Sequence, residues 1–488
     1  MAADVISVLP LLVVILVSLW TKQVLMGLGV GVILGAWLIS PGIMPMLNTL
    51  LTYLYKELLI PGNLHLLVFL YLFGAFIGLL RASGGIQGFI HWLEPWTKTR
   101  RRAYGVLWLS SLWTAMAPDF RILAMGPLLA RGLAKDQKDL IRSGVVLTAT
   151  ATPLAAVLPI GTIFVGYMVG LCAIAAKSVH YTGSTYSLFL QTIPFNFFAW
   201  AILLLSLWQS FFYRKHQVSE QRKKAKWEKT RHQPAFSGEW GAIGSGGSGE
   251  HQMNIQPGEI AEGVTPHVWH FVLPMLVLWV LTLVFTYISG LGYSKNPLHA
   301  LLYADASKAM MQALIATLVI TVVFLLIRKD TINNLMKAVI SGGNEMMPVL
   351  LLLILVWAVA GMATSLGFTR WVTSVLGAHV PHFLILPMLF LASSILSYFL
   401  GSTFGVWGLL LPIAISLTLA TGTSLILTLS AIFAGGTLGG FASPLSDNTA
   451  TLALVLDKQV MELTRPLLIP SLIAGGAAIV GFFAVGWI

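Results

Sequence analysis

Apolar runs that approach or exceed the length of a bilayer crossing recur along this sequence. A transmembrane helix needs about 20 mostly apolar residues. Of the 488 residues, 57% are hydrophobic and only 10% are charged, which is far from the composition of soluble domains. The chain is therefore predicted to be an all-α polytopic membrane protein with roughly 10 to 13 membrane segments. The clearest runs cover residues 5–20, 24–40, 64–80, 186–212, 268–289, 309–327, 347–363 and 467–488.

Eight basic residues are concentrated in one segment, 214–231, which directly follows an apolar run. Because so much of the net charge of +11 lies there, the charge does not indicate a nucleic-acid partner. The positive-inside rule assigns the segment to the cytoplasm, where it is a candidate for binding anionic lipid headgroups. The residues that follow, up to 263, are rich in Gly and Ser and are typical of a flexible linker.

The direction of the spans follows from basic clusters that the positive-inside rule assigns to the cytoplasm. They lie at residues 98–102, 131–142, 214–231 and 328–329. When these clusters are placed on the cytoplasmic side, each half of the chain contains a span, a hairpin broken at its tip and an interrupted span. The second half runs in the opposite direction, which predicts the inverted-topology repeat of secondary transporters.

The repeat divides the chain into six parts. Its hairpins are predicted to break at residues 117–119 and 401–403, and whether they cross the membrane fully or re-enter from one side stays open. The predicted parts are N-terminal spans at 1–62, a first transporter repeat at 63–212, a basic, Gly/Ser-rich cytoplasmic linker at 213–263, connecting spans at 264–341, a second, inverted transporter repeat at 342–465 and a C-terminal span at 466–488.

Polar, helix-breaking clusters interrupt one span in each half, at residues 148–153 and 439–449. Non-helical backbone at membrane depth is tolerated only where it is buried in protein or lines a watery cavity. Paired interruptions of this kind point to the binding site of a transporter. We therefore expect both clusters to line a central cavity.

Asp447 is the acidic residue of the second cluster. An ionisable side chain at membrane depth indicates function, and the hard oxygens around Asp447 suit a proton or a small cation such as sodium. The alternative is that Asp447 and its neighbour cap the helix that resumes there. The neighbouring candidate ligands are Ser443, Ser446, Asn448 and Thr449.

Asp119 and Arg121 lie at the tip of the first hairpin. They are predicted to pair with each other or with a charged substrate, and a plain interfacial salt bridge is the alternative. At the tip of the second hairpin, Ser402 and Thr403 offer hydroxyls and freed amides but no charge. These hydroxyls either bind the substrate or bond to the preceding turn.

Thr150 lies in the first polar cluster, between Thr148 and Thr152. In an unwound segment the three threonines would share one side and supply hydroxyl ligands. The alternative is that their hydroxyls are satisfied within the helix bundle. Glu345 follows Gly342, Gly343 and Asn344 and is expected at the inner mouth or, as the alternative, at the solvated membrane interface.

The sequence contains none of the motifs that indicate an enzyme or a nucleotide-driven pump. It has no Walker A loop, no His-Glu-x-x-His and no Cys-x-x-Cys motif. No catalytic residue and no cofactor are therefore expected, and gradient-driven exchange or symport remains. A non-transporting membrane scaffold or sensor is a further alternative.

The same residues resemble the NhaC-type sodium/proton antiporter family of the ion transporter superfamily. The most specific match is the last one, where the family pattern is Gly-Asp-x-x-Ser-Pro-x-Ser-Asp-Thr-Thr. The resemblance implies an electrochemically driven antiporter of the bacterial cytoplasmic membrane, with its ion site near the two broken segments. The matching stretches are 74–85, 118–130, 148–159, 343–367, 401–414 and 435–449.

The chain departs from the family pattern at three acidic positions, where Pro118, Thr148 and Gly440 stand instead. Asp447 and Asp119 remain. The sequence thus favours a sodium/proton antiporter-like secondary transporter, with ion-coupled transport of a small organic acid or amino acid held by Arg121 as the alternative. The expected partners are sodium, protons, membrane lipids and, in the alternative, the organic anion, and a homodimer is left open.

Overall fold

All regular structure in the described residues is helical, because long apolar segments can satisfy their backbone groups internally as helices. The predicted linker at 213–263 lies outside these residues. The computed structural model describes residues 6–97, 99–133, 137–159, 162–179, 181, 183–212, 266–292, 304, 306–328, 330–376 and 381–487.

The first half contains the helices α1 to α12. A broken span is formed by α8 and α9, and a hairpin by α6 and α7. The helices are α1 Leu9–Thr21, α2 Val24–Ile39, α3 Ile43–Leu58, α4 Pro61–Ala82, α5 Gly85–Leu93, α6 Arg100–Thr114, α7 Pro118–Leu133, α8 Gln137–Ala149, α9 Thr152–Ala155, α10 Ile163–Ser178, α11 Thr185–Thr192 and α12 Phe197–Phe211.

The second half contains the helices α13 to α22. Its hairpin is α18 and α19, and its broken span is α20 and α21. The helices are α13 Trp269–Gly290, α14 Ala306–Ile327, α15 Ile332–Glu345, α16 Met347–Ser365, α17 Phe368–Leu376, α18 His382–Leu400, α19 Thr403–Thr421, α20 Leu425–Ala442, α21 Asp447–Val455 and α22 Val460–Trp487.

Eight helical segments in the described residues are long and apolar enough to cross a membrane. Two bent pairs raise this number to 10 if each pair is one span, with bends of 119° between α2 and α3 and 51° before α12. Shorter apolar helices lie at Leu9–Thr21, Leu140–Ala155 and Ile163–Ser178. The prediction of an all-α polytopic membrane protein is therefore confirmed.

Both hairpins and both broken spans lie where the polar clusters predict them. The breaks are narrower than predicted, because α8 continues to Ala149 and α20 continues to Ala442. Thr148 accordingly remains helical, and its hydroxyl bonds to the carbonyl oxygen of Gly144 at 3.0 Å. The non-helical backbone between the broken segments is residues 150–151 in the first half and 443–446 in the second.

Each half packs its long helix against the first spans of the other half. The helix α4 lies against α14 and α15, and the helix α16 lies against α2 and α3. Reciprocal contacts of this kind are what a repeated unit produces. Each hairpin is also preceded along the chain by a pair of packed helices, α1 with α2 and α13 with α14. Both pairs lie before the predicted starts of the repeats at residues 63 and 342. These boundaries stay a prediction.

Candidate functional site

Two carboxylates, Asp119 and Asp447, lie in the first turns of α7 and α21. Both are accessible to solvent, yet the protein that surrounds each of them partly desolvates it. The two carboxylates also lie close enough to repel each other. Side chains that are accessible but surrounded line a recess rather than an outer surface.

The helices α7 and α21 lie side by side and run in the same direction. Asp119 and Asp447 are close at their N-terminal ends, while Gly126, further along α7, packs against Val455 at the end of α21. The N-terminal ends of both helices therefore open into the same recess. Their partial positive charge favours carboxylates at this position.

An ion pair between Arg81 and Glu345 lies near Asp119. Nη1 of Arg81 lies 2.6 Å from Oε1 and 2.9 Å from Oε2 of Glu345, and both residues are within electrostatic range of Asp119. The pair joins the end of α4 to the last residue of α15. Together, Arg81, Asp119, Glu345 and Asp447 form what we call the acidic recess, in which three carboxylates meet one guanidinium.

Close glycine packing brings Arg81 and Glu345 together. Gly74 and Gly78 on α4 approach the backbone of Gly342 on α15 so closely that a Cβ at any of these positions would overlap main-chain atoms. Small residues at a helix interface allow such an approach in membrane proteins. The two glycine-rich stretches of the sequence thus fix the edge of the acidic recess.

Hydrogen bonds between buried neutral groups link the two helix breaks beside Asp447. We call Asn448, Thr152 and Gly440, which make these bonds, the seam. Asn448 donates its amide hydrogens to the hydroxyl of Thr152 and, at 3.1 Å, to the carbonyl oxygen of Gly440. Its Oδ1 atom is buried and has no hydrogen-bond partner among the described residues. A Cβ at position 440 would overlap the hydroxyl of Thr403, so Thr403 fills the space that the family's Asp would need.

The other predicted hydroxyl ligands stabilise helix ends in this conformation. Ser446 caps α21 by accepting the backbone N–H of Thr449 at 3.2 Å, and the two hydroxyls lie 2.9 Å apart. Ser402 caps α19 by accepting a backbone N–H at 3.1 Å, and Ser443 donates to the carbonyl oxygen of Tyr398 at 2.6 Å. Their role as ion ligands stays a prediction.

Arg121 points away from the acidic recess. Residues two apart on a helix do not share a face, and the predicted pair between Arg121 and Asp119 is not formed. The guanidinium is fully buried and donates to the hydroxyls of Thr150 and Thr114 and to the carbonyl oxygen of Leu107. A substrate carboxylate therefore has no access to it in this conformation.

Sequence reasoning missed Arg81, Thr114 and Leu107 as parts of the site region. Arg81 had the appearance of an ordinary basic residue at the end of a span. The one signal that could have identified it is the matching order of Gly74, Gly78 and Arg81 on one helix with Gly342 and Glu345 on the other.

The described residues contain no group of three His, Cys, Asp or Glu side chains that could hold a metal ion. A sodium ion needs only hard oxygen ligands, and Asp447 with the seam oxygens at Asn448 supplies that type of atom. The predicted sodium at Asp447 is compatible with this donor set and stays a prediction.

The fold is similar to that of two solved transporters. The YdaH transporter of Alcanivorax borkumensis superimposes with a TM-score of 0.59, at 14% identity over 91% of this chain and 89% of that one. MtrF of Neisseria gonorrhoeae superimposes with a TM-score of 0.62, at 12% identity over 92% of this chain and 85% of that one. At such identities the likeness concerns the fold.

Two sequence comparisons extend this likeness. An uncharacterized protein of Haemophilus influenzae is 22% identical over 466 residues, which cover 92% of this chain and 84% of that protein. The sequence model of the Na+/H+ antiporter family matches residues 143–487, which include the second hairpin and both helix breaks. This chain is a multi-pass membrane protein with a transporter fold, and it is not an enzyme. It belongs to the Na+/H+ antiporter family.

Proposed function

We propose that this secondary transporter exchanges sodium ions for protons by alternating access, with Asp447 as the principal carrier group and Asp119 as the second. The observation that carries the proposal is the pair of accessible, surrounded carboxylates at two helix N-termini. A carboxylate in such a recess binds either a proton or a cation. Competition between the two at one group couples their opposite movements.

The charge of the acidic recess supports a cationic substrate. Asp119 lies within electrostatic range of Asp447, Arg81 and Glu345, and Arg81 pairs with Glu345, so the recess carries an excess of negative charge when all four groups are ionised. Clefts with one sign of charge and low-dielectric walls concentrate ions of the opposite sign. The match to the Na+/H+ antiporter family also supports cation transport.

We infer that the protein works in the cytoplasmic membrane of a bacterium. The compared proteins come from bacteria, and the basic segment at 214–231 follows an apolar run as the positive-inside rule requires of a cytoplasmic loop.

A second candidate is ion-coupled transport of a small organic anion. It is favoured by the structural similarity to MtrF, which is described as illuminating a class of antimetabolite efflux pumps. The enclosure of Arg121 weighs against this residue as the binding group for a carboxylate, because its donors face neutral oxygens of the protein.

The test is a flux measurement with purified protein in liposomes that contain a pH-sensitive dye. We expect added sodium to collapse an imposed proton gradient with the wild-type protein and Asp447→Asn to abolish this response. The matched control is Asp457→Asn, which changes an exposed acid just beyond the other end of α21. Asp457 has a φ of 50°, a conformation that Asn also tolerates, so this variant should retain the flux.

Two outcomes would contradict the proposal. Sodium-dependent proton flux that survives Asp447→Asn would remove this residue from the carrier role. Wild-type protein without any sodium response, but with proton-driven movement of an organic anion, would establish the second candidate instead.

A further inference from the structure

The guanidinium of Arg121 occupies an enclosed cradle between the first hairpin and the first helix break. Nη1 lies 2.6 Å from Oγ1 of Thr114, and Nη2 lies 2.8 Å from the carbonyl oxygen of Leu107. Nε and Nη2 lie 3.1 Å and 2.7 Å from Oγ1 of Thr150. We call Leu107, Thr114 and Thr150 the guanidinium cradle, and all three are 0% exposed.

The cradle holds a positive charge without an acidic partner. Among the described residues, no carboxylate lies within ion-pair distance of Arg121, and all atoms that accept its hydrogen bonds are neutral oxygens. A guanidinium stays protonated in proteins, and a buried charge is costly unless its surroundings compensate it. Something other than a counter-ion must therefore stabilise this cation.

Two helix C-termini provide that compensation. The helix α6 ends at Thr114, and α8 ends at Ala149, next to Thr150. Each helix C-terminus carries roughly half a negative charge, and the two ends meet at the guanidinium. The hydroxyl of Thr150 donates to the carbonyl oxygens of Val146 and Leu147 at 2.9 and 3.1 Å, so its lone pairs are free for Arg121.

Broken helices coordinate monovalent cations with freed main-chain carbonyls and helix C-terminal ends, and hydroxyls are hard oxygen ligands of the same kind. Here the main-chain carbonyl comes from Leu107 inside α6, one hydroxyl from Thr114 at the end of α6 and the other from Thr150 at the helix break. The first helix break of this chain therefore has the chemistry of a cation site, and a side chain of the protein fills it. Asp119, two residues before Arg121, lies on another face of α7 and belongs, with Asp447 of α21, to the acidic recess.

We propose that Arg121 is a permanent internal cation, which occupies the cation site of the first half and confines the exchangeable ions to the acidic recess. The cradle would bind a free guanidinium ion if the side chain were removed. The confinement of ions to the acidic recess rests on the proposed function, whereas the charge of the cradle does not depend on which ion the recess carries.

The test is chemical rescue of the full-length protein, followed by thermal unfolding in detergent. We expect Arg121→Ala to lower the Tm by several degrees, and methylguanidinium to restore it in a saturable manner, since a ligand that binds only the folded state raises its stability. N-methylurea, which has a similar shape but no charge, should not restore the Tm. Equal restoration by both compounds would overturn the proposal, because shape alone would then suffice.

The matched control is Arg81→Ala, which removes a partly exposed guanidinium from a pair with Glu345. Methylguanidinium should produce no saturable rise in its Tm, and a rise equal to that of Arg121→Ala would also overturn the proposal. If Arg121→Ala does not fold, Arg121→Lys and Arg121→Gln replace it. The charged lysine variant should melt several degrees above the neutral glutamine variant, and the reverse order would contradict an internal cation.

Discussion

The broken helix of each half is joined to its hairpin helix in a different way. In the second half, α20 packs directly against the hairpin helix α18, and Ser443 bonds straight to the carbonyl oxygen of Tyr398. In the first half, α8 and the hairpin helix α6 make few direct contacts among the described residues. There, the guanidinium of Arg121 bonds to α6 and to Thr150, the residue that follows the end of α8.

The cause of this difference is residue size along the facing helices. Gly435 and Gly439 on α20 lie against Ser393 and Ser397 on α18, and both serines donate to carbonyl oxygens of α20 at 2.8 Å. Interfaces of Gly and Ser let membrane helices approach closely. The second break therefore needs no charge to close it, and its carboxylate, Asp447, is left accessible to the recess.

The largest effect is expected when the close packing of the second half is broken. A Cβ on Gly439 would overlap the backbone and side chain of Ser397, and such overpacking costs about 3 kcal/mol of unfolding free energy. Gly439→Ala should therefore lower the Tm of the purified protein clearly in thermal unfolding.

Two other glycine-to-alanine variants serve as controls for Gly439→Ala. A Cβ on Gly144, which lies on the corresponding helix α8, would have as its nearest atoms the side-chain ends of Leu456 and Leu452, at 3.1 and 3.3 Å. A Cβ on Gly476 would meet nothing. Both alanine variants should be near neutral or gain up to about 1 kcal/mol from helix propensity. If Gly144→Ala lost as much stability as Gly439→Ala, the two breaks would be packed alike.

An intermediate effect is expected in the guanidinium cradle. Thr150→Val removes the hydroxyl that accepts from Nε and Nη2 of Arg121, and buried donors without a partner cost about 2 kcal/mol. Thr148→Val is the control, because that hydroxyl bonds only within its own helix and its loss should cost at most about 1 kcal/mol. Thermal unfolding measures the loss of stability in both variants. Equal losses would contradict the proposal that the hydroxyl of Thr150 stabilises the buried guanidinium of Arg121.

The smallest stability effect is expected at the edge of the acidic recess. Glu345 pairs with a partly exposed arginine, and such pairs contribute less than about 1 kcal/mol. Glu345→Gln should leave the Tm nearly unchanged but raise the sodium concentration needed for half-maximal flux in liposomes, since the recess loses a negative charge. An unchanged sodium dependence would remove Glu345 from the cation pathway.

The sequence alone was sufficient to predict most of the fold. Hydropathy and the polar clusters predicted the spans, the hairpin tips and the two helix breaks, because backbone groups in lipid leave few alternatives to helices. Residues 43–58 were not predicted as a helix, since they follow a sharp bend and are only moderately apolar. The breaks were predicted too wide, because glycine-rich segments such as 435–440 remain helical when another helix packs on them.

The sequence by itself determined that this is an all-helical membrane protein of a transporter family with polar breaks around Asp447 and Asp119. Only the tertiary structure decided which way the charged side chains face. Asp119 and Arg121 are two residues apart, yet one enters the acidic recess and the other is enclosed by neutral oxygens. That partition depends on which helices pack on each face of α7, and such contacts between distant segments cannot be deduced from local spacing.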